Sequence, residues 1–237
     1  MKAIGTLLLA FIFSSFNTNN STNYNGDCDT YFPLEKGVKW TMNSYNPKGK
    51  LESSTTMHIV NTEAIENGTR YVVEGKVTTP KEDEPAELNF DYLCENGVLK
   101  MDMTKMIPAD MMKSVNESME IVIDQSELEF PKNMKVGDQL KDANIIATIK
   151  SNGTKMFDIK VNITDRKIEK SESITTGAGT FECLKMTSKT NLSMMFMKRN
   201  SSSIDWISSK VGVVKSEIYN KKNKLESYSE LAAYSKN

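Results

Sequence analysis

The chain has 237 residues, 38% of them apolar and 26% charged, with 30 basic residues against 31 acidic ones and a formal net charge of -1. That length holds one large β domain or two small ones. The intermingled, balanced charges exclude the basic stripe of a nucleic-acid binder, and the three arginines, Arg70, Arg166 and Arg199, are too scattered for bidentate phosphate recognition.

The chain opens with MKAIGTLLLAFIFSSFN, in which Lys2 precedes an apolar run from Ala3 to Phe13. This run is too short to span a bilayer and has the build of a secretory signal peptide. Residues 1–19 are therefore expected to be a cleaved leader and 20–27 a flexible N-terminal segment. No later stretch reaches transmembrane length, so no span is expected after the leader is removed. No linker divides residues 28–237, which are read as a single β domain.

Val38, Trp40 and Met42 alternate with Lys39, Thr41 and Asn43, the period of a half-buried strand. Met57 and Ile59, then Tyr71, Val73 and Val77, continue the pattern. PKEDEP at 80–85 is a charged loop bounded by prolines. ELNFDYLCENGVLKMDM reads as a hairpin with Leu88, Phe90, Tyr92 and Cys94 on one face, a turn at ENG, and Leu99, Met101 and Met103 returning. MIPADMMKSV breaks the rhythm, and Pro108 at a first helical turn predicts one short helix at 108–115. KMFDIKVNIT is a strand with Phe157, Ile159, Val161 and Ile163 on one face, and ESITTGAGTFECLKM is strand, glycine-rich turn, strand. The whole predicts a mainly β fold: a single strongly curved antiparallel sheet or half-barrel with one short helix.

One segment occurs twice. YNPKGKLESS (45–54) and YNKKNKLESY (219–228) align without gaps, with Gly49 standing where Asn223 stands. Both residue types accept positive φ, so the echo predicts two equivalent β-hairpins with a left-handed turn residue, in preference to a duplicated binding site.

Cys28, Cys94 and Cys183 are an odd set for an oxidising compartment. One disulfide plus a free buried cysteine is the leading reading, with Cys28–Cys94 as the chosen pair. Three buried thiols remain an alternative, since cysteine packs well as a small apolar residue. The spacing does not suit zinc and His58 is the only histidine, so no metal and no cofactor is expected.

Three stretches carry a family resemblance: CDTYFPLEKGVKWTMNSYNPKGKLES (28–53), ITTGAGTFECLKMT (174–187) and VGVVKSEIYNKKNKLESYSEL (211–231). Together they resemble the TapB-like exported proteins of Bacteroidota, related to a domain of unknown function. The chain departs from that pattern at Lys210 and Asn223, where glycine is usual. The resemblance implies a periplasmic, secreted or cell-surface protein with a strongly curved sheet, similar to the half-barrels that carry lipids and lipoproteins. It brings no catalytic residues.

Methionine is abundant, at 15 residues. Flexible, polarizable thioethers suit surfaces that adapt to apolar ligands. Trp40, Met42, Met101, Met103, Met111, Met112, Met195, Met197 and Trp206 are the candidate lining of an apolar cavity; the competing reading is ordinary core packing, with soft-metal binding a distant third. TTGAGT lacks the Lys-Ser/Thr of a phosphate loop and reads as a turn. No nucleophile–base signature stands out, so the expected function is non-enzymatic: an exported envelope protein holding a lipid or other apolar ligand on its concave face. The alternative is a structural or protein-interaction module of the envelope with a filled core, whose partner is another envelope protein.

Overall fold

Turn chemistry sets the architecture. Asn96 and Gly97 (φ 52° and 77°) and Asn152 and Gly153 (φ 49° and 75°) form tight turns, the residue pair that matches strand twist in a two-residue hairpin. In the echoed segments the Asn46 side chain accepts from the Lys48 and Lys50 N–H groups at 2.9 and 3.1 Å. Asn220 accepts from Lys222 and Lys224 at the same distances. Gly49 and Asn223 take φ of 77° and 56°. The two are the same hairpin device, as the sequence echo predicts, and Tyr45 stacks on Tyr228 at 5.0 Å to join them.

The protein's structure, a computed structural model, describes residue 28 and residues 31–82, 84–102, 119–125 and 127–236. Among these are thirteen strands: β1 (Lys39–Tyr45), β2 (Leu51–Ile65), β3 (Gly68–Thr78), β4 (Ala86–Glu95), β5 (Val98–Asp102), β6 (Met119–Gln125), β7 (Leu128–Pro131), β8 (Ala143–Ser151), β9 (Thr154–Thr176), β10 (Gly179–Met194), β11 (Met197–Ser208), β12 (Gly212–Asn220) and β13 (Leu225–Ser235). They form one antiparallel sheet in the order β6-β8-β9-β10-β11-β12-β13-β1-β2-β3-β4-β5-β7. Its middle is the pairing of the last strand with the first, Trp40 opposite Tyr234 and Tyr45 opposite Tyr228. Its two edges, β6 and β7, follow each other in the chain, and the sheet is open, not a barrel.

Bulges supply the curvature. Register shifts occur at Thr41/Met42, Ile59/Asn61, Lys185/Met186 and Trp206/Ile207, among other points, and each extra residue bends its strand and raises the local twist. The curl encloses the core: Trp40, Ile59, Val73, Phe90, Tyr92, Leu99, Phe130, Ile168, Met186, Val214 and Leu231 are buried. Phe32, from the segment before β1, reaches in to lie 5.0 Å from Phe130 and 5.5 Å from Tyr92. The β7–β8 connection runs back along β9, with Leu140 N–H donating to the Arg166 carbonyl at 2.8 Å.

Cys28 and Cys94 are disulfide-bonded and Cys183 is free and buried, which is the leading cysteine reading and its chosen pair. The ENG hairpin, the glycine-rich turn and the faces expected of β4 and β5 are all found. The predicted helix at 108–115, with Met111 and Met112, lies outside the described residues, as does Met103. No helix occurs among the described residues.

Candidate functional site: a pocket inside the curl

The alternation of β9 changes phase halfway along. Phe157, Ile159, Val161 and Ile163 are odd-numbered, whereas buried Arg166 and Ile168 are even-numbered. The cause is a bulge: Thr187 pairs with Lys167 and Lys189 with Thr164, so Asp165 and Arg166 together face Ser188. Asp165 takes φ of 53° to make the step. Re-aiming a side chain is what such a bulge does, and here it turns a guanidinium into the core.

Arg166 is 1% exposed. Its Nη1 donates to the Lys141 carbonyl at 2.7 Å, its plane lies 4.9 Å from the Phe130 ring centroid, and its Nη2 has no hydrogen-bond partner among the described residues. Burial pulls its pKa down to about 10, against the pull of Asp142, Asp205 and Glu129, so it stays charged at neutral pH. Asp205 accepts hydrogen bonds from Ser216 at 2.6 Å and Ser203 at 3.1 Å. Burial raises its pKa above the usual carboxylate value, while those two hydroxyls and Arg166 draw it back. Ser188 and Ser203 are bonded to each other at 2.8 Å.

Arg166, Asp205, Ser188 and Ser203 line a pocket of about 220 Å³. Met101 of β5 with Leu128 and Phe130 of β7 come from one side of the curl; Ile163, Met186 and Val213 come from strands of the other half, and Phe32 closes the wall. The result is a largely apolar pocket whose polar lining is one buried cation, one carboxylate and the hydroxyls of Ser188, Thr190 and Ser203. A larger hollow of about 590 Å³ adjoins this pocket, sharing Ser188 and Ser203 with it and walled also by Asp165, Lys167, Glu169 and Lys189, and another of about 430 Å³ is lined by Lys39, His58, Glu74 and Lys76. Their charged side chains of both signs carry water well. The smaller pocket has the apolar walls and the few convergent polar groups that mark small-molecule sites.

The nine residues nominated from sequence fare unevenly. Met101 lines the pocket. Trp40 is buried and Met42 packs against the same core, outside the pocket lining. Trp206 is buried beneath Lys185 and Lys215, whose ammonium groups lie 5.9 and 5.3 Å from its ring centroid, and its indole N–H donates to Glu172 at 2.8 Å. Met195 and Met197 belong elsewhere altogether. They are 63% and 50% exposed at the tip of the β10–β11 hairpin, because Met194 pairs with Met197 and leaves only Met195 and Phe196 to turn the chain. Alternation along a strand does not reveal that the strand is about to end. Arg166, Asp205, Phe130 and Met186 were not nominated; the phase break in β9 was the available signal for the first.

Fold and pocket together define a class: an open, tightly curled antiparallel sheet with a small amphipathic chamber in its fold. The chain belongs to the DUF3108-like family, whose model matches residues 35–231. A comparison with curated proteins finds no match. Among solved structures, the chain is similar to a protein from Bacteroides fragilis described as a candidate exported protein with a YmcC-like fold, at 22% identity and a TM-score of 0.68 over 88% of this chain and all of that one. It is similar also to a candidate lipoprotein from Parabacteroides distasonis, at 24% identity and a TM-score of 0.67 over the same shares. At these identities the likeness establishes the fold.

Proposed function

We propose that this is an exported, non-enzymatic envelope protein of the periplasm or cell surface that holds a small apolar or amphipathic ligand, lipid being the leading class, inside the curl of its sheet. The observation that carries the proposal is the pocket around Arg166: apolar walls of Met101, Leu128, Phe130 and Met186 meeting a buried guanidinium whose Nη2 has no hydrogen-bond partner among the described residues. A core that serves stability alone gains nothing from that cation, since burying a charge without full pairing is costly. Kinship with the TapB-like exported proteins rests on the three stretches quoted above and belongs to this proposal, as does the assignment to the envelope.

The second reading, a protein-interaction module with a filled core, draws support from the extent of burial around the pocket and from its modest volume. Native mass spectrometry of protein purified from its own envelope separates the two, together with titration of an apolar fluorescent probe. A co-purifying lipid, and probe uptake lost in Met101→Gln or Met186→Gln, is the expected result. If no lipid co-purifies and the parent protein takes up no probe, the carrier reading falls and the interaction module stands.

A further inference from the structure

The β10–β11 turn breaks a conformational rule. Met195 takes φ of 51°, while most other non-glycine residues at positive φ are Asn or Asp. Only the first of the two central residues has positive φ, and Gly would suit that position far better than Met. The side chains held there gain no burial in return: Phe196 is 99% exposed, Met195 63% and Met197 50%. Beside them β9 continues past Ile159, the partner of Met194, and its Met156 is 61% exposed. Strained backbone presenting a solvated aromatic is an outlier that points to use.

The strand registers place this tip at the end of the sheet that carries the two echoed hairpins. Ser201 pairs with Asn220, where the β12–β13 turn begins, and Tyr45 stacks on Tyr228 across the middle of the sheet. Those turns expose Lys48, Lys50, Lys221, Lys222 and Lys224, and Lys198 is exposed directly behind the tip. No ion pair engages any of these six among the described residues, although ion pairs are frequent elsewhere on the surface. From the Ser201–Asn220 pair to Met197 the β11 strand runs on for four residues, about 13 Å at the usual rise per residue. An apolar spike thus stands forward of a rank of unpaired ammonium groups.

We infer that this end of the sheet docks on an anionic lipid surface, with Phe196 and Met195 entering the headgroup–acyl boundary and the lysine-bearing turns lying against the phosphates. Charge complementarity selects that occupant: an apolar partner patch would match the spike and leave six cations unmatched, whereas a soluble polyanion would match the cations and leave the spike in water. Interfacial apolar side chains backed by lysines are the common arrangement for such binding, each lysine near an anionic surface strengthening it roughly fivefold. The inference stands apart from the ligand pocket and survives if that pocket is empty in the cell.

Vesicle flotation of the mature protein tests it, comparing phosphatidylglycerol/phosphatidylcholine vesicles with phosphatidylcholine alone. The parent protein is expected to float with the anionic vesicles and to be released by salt. Met195→Gly combined with Phe196→Asn installs the favoured turn, so its melting temperature should hold or rise while vesicle binding falls at least tenfold. Lys48→Ser with Lys222→Ser should weaken binding and flatten its salt dependence. Failure of the parent protein to bind anionic vesicles overturns the inference, as does undiminished binding by the Gly-Asn variant. Binding to heparin that matches vesicle binding and ignores Phe196 would identify a polyanion site instead and equally overturn it.

Discussion

Arg166 and Asp205 face each other's fields inside the pocket without a direct ion pair, each shifted toward its neutral form by burial. Replacing Arg166 by Met alone would leave Asp205 without its nearest counter-charge. Replacing both, with Asp205→Asn, removes the two charges together. The double variant is expected to be more stable than Arg166→Met alone, which strands the carboxylate, read by denaturant unfolding. For Asp205 the sign is set by a raised folded-state pKa. Its contribution is full below the ordinary carboxylate value and is lost as pH rises through the raised one. Asp205→Asn should therefore flatten the loss of stability between acid and neutral pH. A second residue-scale test concerns Gly68, where an added Cβ would lie 1.8 Å from the carbonyl oxygen of disulfide-bonded Cys94. Gly68→Ala should cost at least about 2 kcal/mol, as overpacking against backbone cannot relax by rotamer change; a melting temperature equal to the parent's would contradict that contact.

At the scale of elements, the echoed hairpins explain what could be read and what could not. Asn46 and Asn220 fold their own turns through side-chain hydrogen bonds within four residues, so short-range sequence held the whole answer. Gly49→Val should destabilise, since φ of 77° strains a β-branched residue even though Tyr228 leaves room for the side chain; Asn223→Gly should be neutral or slightly stabilising. Thermal melting of the two variants checks this, and equal tolerance would remove the shared-turn argument. Lys210, noted as standing where glycine is usual, indeed takes φ of 58°. The pocket was far less legible. Its walls come from two groups of strands, β5 and β7 on one hand and β9 to β12 on the other, that only the curl brings together, and the curl depends on bulges that binary alternation does not announce. The methionine clusters misled for a related reason: Met101 and Met195 look alike in sequence, yet one lies opposite Leu128 in the sheet and the other has no strand beyond it.

Across the whole molecule, the open sheet leaves the inner pocket dependent on what closes its wall. Phe32 lines that pocket and packs between Tyr92 and Phe130. Four residues before it, Cys28 is bonded to Cys94 on β4, across a sequence separation of 66. The disulfide therefore ties the segment that supplies Phe32 to the strand that supplies Tyr92. Cys183 is poorly placed to exchange with the bridge, since it is buried and its thiol is pushed up to about 11, first by burial and then by Glu182 and Glu172; alkylation of the unreduced native protein should leave it unmodified until unfolding exposes a single thiol. Cys28→Ser with Cys94→Ser is expected to lower stability by about 2–4 kcal/mol. The same variant should loosen Phe32 and weaken uptake of the apolar probe, under conditions where circular dichroism still reports a folded sheet. Stability lost with probe binding intact would mean that Phe32 holds its place by packing alone, and that the bridge serves the fold without serving the pocket.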